Sequence, residues 1–206
     1  MNREKYFDRA VNRKDIATRL THLTRATEKM DAFEVLLKIL DDKKLIGSTT
    51  KSGYIVGNTP AVCFQEAPME ALAEHILYEN KVFSNINDTN VRYCGVGIRF
   101  SKFYVYKKGG RPVIYDKTEF LKDILDEDLH WRIVNFDLSD HNNCIDWTHE
   151  REWRVPKEME FSYKDIELIF PTDKVYRRFV SYCEENSKLE LLEEIHGILI
   201  LSSIVN

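Results

Sequence analysis

No stretch of this chain is apolar over the ~18 residues that a bilayer span requires, so no transmembrane helix is indicated. The opening MNREKYFDRAVNRKD has no apolar core of a secretory leader, and a cytoplasmic setting with no membrane partner is expected. Cysteine is sparse: Cys63, Cys94, Cys144 and Cys183 are far apart and form no C-x-x-C pair. They read as reduced, mostly buried thiols, not as a zinc site built from these alone. Eight Gly and five Pro are scattered as turn punctuation, with no repeat, low-complexity tract or linker. KKGGRP (107–112) lacks the G-x-x-x-x-G-K-[ST] register, which removes a nucleotide P-loop and leaves a turn before a strand. No Ser–His–Asp or Cys–His arrangement marks a covalent nucleophile.

What remains is an ordinary globular composition, 43% hydrophobic, 12% aromatic and 31% charged over 206 residues, sufficient for one domain spanning 1–206. Net charge is −4 but uneven. Seven basic side chains face three acids within residues 1–25, so residues 1–18 read as a basic N-terminal helix or arm and the rest of the chain is acidic. Such an arm suits phosphate, an acidic partner or plain solvent.

Helical and strand patterns alternate throughout, which gives an α+β class: a compact mixed sheet of short strands with flanking helices. Asp31-x-x-Glu34 is a capping box ahead of Phe33, Leu36, Leu37 and Leu40. Pro68 begins a second helix, Asp116-x-x-Glu119 a third, Thr172 or Asp173 a fourth and Ser187-x-x-Glu190 a fifth. The predicted strands are residues 20–25, 61–65, 91–100, 112–115, 151–155, 166–170 and 197–205. Gly95 and Gly97 predict a bulge or a close backbone approach. SKFYVYKK (101–108) interleaves cations with aromatic rings, a pattern of amphipathic surface or of stacking on nucleobases.

The densest chemistry lies in DWTHEREWRV (146–155). On a strand, Trp153 and Val155 share one face, and Glu150, Glu152 and Arg154 the other. Those charges form either an exposed Glu–Arg pair or a carboxylate held in a cleft, where it can stabilise an oxocarbenium-like cation or accept a proton. In LTHLTR (20–25), His22 and Thr24 share a face and can donate to a ribose hydroxyl or an amide. His141-x-x-Cys144-x4-His149 matches no common zinc spacing. Asp146, Glu150 and Glu152 are a possible Mg²⁺ set for a nuclease, but no Lys stands beside them.

The order THLTR, KLIGST (44–49), AVCFQEAPMEAL (61–72), RYCGVGIRFSKFYVYKKGGRPVIYD (92–116) and WTHEREWRV (147–155) resembles the AbiGi-type abortive phage-resistance family across nearly the whole chain. That label implies antiviral defence and, in its antitoxin sense, a non-catalytic module that holds a cognate toxin. More distantly, the His-x-Thr strand, the Gly-Ser turn, the aromatic strand before Pro-Met and the late Glu-aromatic strand are similar to DarT-type ADP-ribosyltransferases. That resemblance implies an ADP-ribosyltransferase-like fold that takes NAD as substrate and transfers ADP-ribose to a macromolecular acceptor, nucleic acid or protein. It assigns Glu152 as the catalytic carboxylate and Glu150 as an accessory acid. His22 and Thr24 would hold the NAD, and Ser48 and Thr49 would form a substrate-facing turn. The pattern's Arg just before AVCFQEAP has no counterpart here.

Overall fold

The computed structural model describes residues 2–83 and 94–204. In chain order they form α1 (Arg3–Val11), β1 (Arg19–Leu23), α2 (Ala32–Asp42), β2 (Lys44–Ile46), β3 (Ala61–Gln65), α3 (Met69–Phe83) and β4 (Gly97–Ser101). There follow α4 (Lys102–Lys107), β5 (Arg111–Pro112), β6 (Ile114–Asp116), α5 (Thr118–Ile124) and β7 (Ile133–Asn135). The rest is β8 (Glu152–Pro156), β9 (Glu158–Glu160), β10 (Ile166–Phe170), α6 (Asp173–Glu185), α7 (Leu189–Glu194) and β11 (Gly197–Ile200). The fold is α+β, with a mostly antiparallel sheet and flanking helices. Among the described residues no helix is long and apolar enough to cross a membrane.

Among the described residues the main sheet has seven strands in the order β11-β10-β4-β1-β3-β8-β5, all paired antiparallel except β10 with β11. Two small pairs flank it, β2–β9 and β6–β7. Strand alternation gives the main sheet two unlike faces. Leu20, Val62, Phe64, Ile98, Phe100, Val155, Ile166, Leu168 and Phe170 point one way and pack against Phe33, Leu36 and Leu40 of α2, Phe179 of α6 and Leu191 of α7. On the other face α3 covers one end, with Leu72, Ala73 and Ile76 against Ile169 and Leu201. Ile55 and Trp131 cover the opposite end, packed on Ala61 of β3. Between these two covers the register aligns Glu167, Arg99, Thr21, Gln65 and Glu152 in one row across five strands. This polar row is the floor on which a site can be built.

Local signals account for the helices. Both halves of the predicted capping box form on α2: Asp31 Oδ1 accepts from Glu34 N at 2.8 Å, and Glu34 Oε2 accepts from Asp31 N at 2.8 Å. Thr172 caps α6. On α5 the cap differs from the expectation. Lys117 takes the N-cap position, Asp116 Oδ1 accepts only from Lys117 N, and Asn135 Oδ1 accepts from Thr118 N. On α7 the N-cap is Lys188, and Ser187 turns the chain with φ 54°.

Predicted strands 20–25 and 151–155 shift by one or two residues to Arg19–Leu23 and Glu152–Pro156, and three others change more. Residues 112–115 divide after Val113, whose N–H makes the last bond to β8, at Glu152 O. Arg111–Pro112 therefore pairs with β8, whereas Ile114–Asp116 turns away to β7. The stretch predicted over 91–100 begins at Gly97, and residues 91–93 lie outside the described ones. The last strand stops at Ile200, where a 3₁₀ turn starts. The expectation for the two glycines is met by Gly95 at φ +70° and by Gly97, where a Cβ would collide with the carbonyl oxygen of His22. Within residues 101–108, Lys102–Lys107 fold as helix α4, with Val105 buried and Tyr104 stacked on Phe100.

Candidate functional site

The sheet opens between β1 and β3. These two strands share a single register pair, Thr21↔Gln65, whereas β1 and β4 share five and so do β3 and β8. Beyond that pair β1 and β3 diverge, and a cavity of about 700 Å³ occupies the fork. That volume lies within the range of small-molecule sites. Lining residues come from both sides of the fork, including His22, Thr24, Ser48, Glu150 and Glu152 of the predicted set. Thr49 is not among the lining residues.

His22 sits at the crotch of the fork. By pleat parity it belongs to the side of Phe64 and Trp153, opposite Glu152, and the cavity reaches both because the sheet is split. Its Nδ1 lies 2.9 Å from Cys63 O, an oxygen that a continuous β1–β3 ladder would have used. A carbonyl only accepts, so Nδ1 carries the proton. Burial lowers the His22 pKa, although the Cys63 carbonyl pulls the other way. The ring is therefore neutral near pH 7, and Nε2 is an acceptor. This modifies the expected role: His22 can receive a hydroxyl proton from a ligand but has no second donor to offer.

Thr24 is buried, and its hydroxyl is engaged by backbone, 2.7 Å from Ala32 O and 3.0 Å from Val96 O. It ties the end of β1 to the start of α2 and offers a ligand only lone pairs. Ser48 is exposed at the rim, in an isolated backbone bridge with Ala61, and Thr49 is exposed beside it.

Glu152 and Arg154 share a face, as the alternation requires, but their pair is buried rather than exposed: 7% and 3% exposure respectively. The guanidinium grips the carboxylate at two points, Nε–Oε1 at 2.8 Å and Nη2–Oε2 at 3.2 Å. Its remaining N–H groups go to Trp131 O at 2.8 Å, Ile133 O at 3.0 Å and Tyr54 O at 3.1 Å. All five guanidinium donors are thereby used. Burial pulls the Arg154 pKa down, but the Glu152 charge and hydrogen bonds outweigh it and hold the pKa raised. Tyr115 completes the setting. Its oxygen accepts from Glu152 N at 2.8 Å, and burial, with the nearby Glu152 and Glu150 charges, raises its pKa to about 12.

Glu150 lies outside the strand, at the end of a 3₁₀ turn of Thr148–Glu150, and Arg151 with φ 45° reverses the chain into β8. The alternation thus begins at Glu152, and Glu150 reaches the cavity from the turn. Burial, then the Glu152 charge, raises the Cys63 thiol pKa far above its ordinary value, so this cavity thiol stays protonated. Among the described residues no three His, Cys, Asp or Glu side chains form a metal-holding group.

Three lining residues were not singled out by sequence. Arg25 was only one of the basic N-terminal charges; here it stands at the cavity 5.9 Å from the Tyr54 ring. Asn135 has its Oδ1 fixed by Thr118 N at 3.0 Å, which turns Nδ2, a double donor, the other way. The only sequence signal for them is local: Arg25 follows His-x-Thr directly, and Tyr54 is an aromatic within a Gly-containing turn. No protein-family model, curated protein or solved structure matches the chain.

Proposed function

We propose that the cleft binds NAD and that the protein is an ADP-ribosyltransferase-like enzyme of bacterial phage defence, acting in the cytoplasm on a macromolecular acceptor. The observation that carries this reading is the fork between β1 and β3, which gives His22 and Glu152 one shared cavity. In this reading His22 Nε2 accepts from a ribose hydroxyl, and Arg25 beside Tyr54 faces the pyrophosphate. The nicotinamide N–C1′ bond breaks, and nicotinamide leaves with the electron pair. Glu152 stabilises the cation at C1′. Its oxygens each keep a lone pair beyond the Arg154 contact. The acceptor then forms the new bond to C1′, and its proton passes to Glu150.

A second reading has one observation in its favour. Arg154 neutralises Glu152 as well as positioning it, which suits a non-catalytic antitoxin-type module that holds a cognate toxin. Two measurements separate the two. At a hundredfold excess over its dissociation constant, NAD should stabilise the fold by about 2.7 kcal/mol in thermal denaturation. Labelled NAD incubated with cell extract should give transfer by wild type and none by Glu152→Gln. Equal transfer by both proteins removes Glu152 from the chemistry, and absence of both NAD stabilisation and transfer favours the toxin-holding module.

A further inference from the structure

The basic, aromatic surface formed by α1, α4 and β5 is outside the cleft and plays no part in the proposed reaction. We propose that it is a binding surface for single-stranded nucleic acid, recognised through phosphate charge and stacked bases. Phe103 and Tyr106 lie three residues apart on the outer face of α4, 39% and 54% exposed, while Val105 turns inward. Phe7 of α1 joins them at 5.8 Å from Phe103, itself 38% exposed. Cations accompany these rings. Arg3 Cζ is 5.0 Å from the Phe103 ring and 5.7 Å from that of Phe7, and Arg111 Cζ is 4.0 Å from the Tyr106 ring.

Charge decides what this surface fits. Residues 101–112 contain Lys102, Lys107, Lys108 and Arg111 and no acid. Lys102 is held by Glu66 at 2.5 Å. Among the described residues Arg3, Lys107, Lys108, Arg111 and Arg132 form no ion pair. Burial, then the Arg111 charge, lowers the Arg132 pKa, a sign of cations left facing each other. The acids of α1, Glu4 and Asp8, turn away from α4 at 3.6 residues per turn. A protein of net charge −4 thus concentrates uncompensated cations where its rings are exposed. A polyanion satisfies the cations, and unstacked bases satisfy the rings; a duplex hides its base faces, so the single strand fits both.

The test is fluorescence anisotropy of the full chain with a labelled 20-nucleotide oligo(dT) across a salt series. Contacts from Arg3, Lys107, Arg111 and Arg132 to about four phosphates predict a log–log salt slope near −2.8, or roughly fiftyfold weaker binding at 200 mM than at 50 mM. Replacing Arg3, Lys107 and Arg111 together by Gln should flatten that slope to about −0.7. Tyr106→Ala should weaken binding roughly tenfold at every salt concentration without changing the slope, and Tyr106→Phe should retain it. Glu152→Gln should bind like wild type, since the surface is separate from the cleft. Absence of binding at 50 mM salt overturns the proposal. So does equal competition by polyglutamate with no effect of Tyr106→Ala, which would assign the surface to an acidic polypeptide.

Discussion

Replacing Arg154 by Met removes the guanidinium while keeping much of the hydrocarbon that fills its place. The structure defines what is lost. Glu152, 7% exposed, loses its counter-ion, and the carbonyls of Tyr54, Trp131 and Ile133 each lose a donor. Breaking a buried ion pair from one side costs about 3–5 kcal/mol because the remaining charge stays in low dielectric. Against a total stability of about 5–15 kcal/mol that is a large fraction. For a chain of this size it lowers Tm by roughly 10–15 °C. Glu152→Gln should be milder, about 1–3 kcal/mol, because Gln keeps an acceptor for Arg154 and the three carbonyls are untouched. The double variant should then be more stable than the sum of the two losses by about 1–3 kcal/mol, since no unpaired charge remains. Urea denaturation of all four proteins measures each term. Should Arg154→Met fall within 1 kcal/mol of wild type, the pair is solvated and Glu152 is not held as described.

His22 gives a pH signature. Its folded pKa lies below the unfolded value of about 6.5, so the unfolded chain takes up a proton first and stability is lost as pH falls through that value. Between pH 7.5 and 5.5 this contributes up to about 1.4 kcal/mol. His22→Asn, which keeps a donor for Cys63 O, should lack that increment in a comparison of urea midpoints; an unchanged pH dependence would show the ring already solvated. The exposed Cys144 should react with a thiol reagent at pH 8 well before Cys63, whose thiol is held protonated by burial. Mass mapping showing Cys63 labelled first would contradict the assignment. Gly97→Ala places a methyl against the carbonyl of His22 and 3.1 Å from Leu23 Cα, and should cost about 1–3 kcal/mol while shifting β1. A change below 0.5 kcal/mol would mean that β4 and β1 can part without strain.

What the sequence displays about this fold depends on how local each signal is. The Asp31 capping box forms as read because both partners lie within four residues of each other. Residues 61–65 form β3 at the predicted limits, since an apolar run with β-branched and aromatic residues suits a strand covered on both faces. The three-residue strands β2, β7 and β9 are invisible locally. Their pairings, such as Lys44↔Glu160 and Tyr115↔Val134, join distant segments, and three residues carry no usable periodicity. The α4 segment, legible only as an amphipathic or base-stacking surface, is too short at six residues for its helical period to show.

The candidate site shows the same division more sharply. That Glu152 and Arg154 share a face follows from alternation alone, but whether they face water or a cavity depends on what covers β8. That cover is Tyr54 and the Trp131–Ile133 segment, brought from two other places in the chain. Nor does the sequence of LTHLTR reveal that β1 leaves β3 after one pair, and the proton position on His22 depends on that divergence. A closed ladder would occupy Cys63 O with a backbone N–H; the open fork leaves it for Nδ1 and turns Nε2 into an acceptor. The residue types in the cleft are thus readable from the chain, whereas their charge state and hydrogen-bonding direction are properties of the split sheet. Substitutions that close the fork should therefore abolish ligand binding even when His22, Glu150 and Glu152 are all retained.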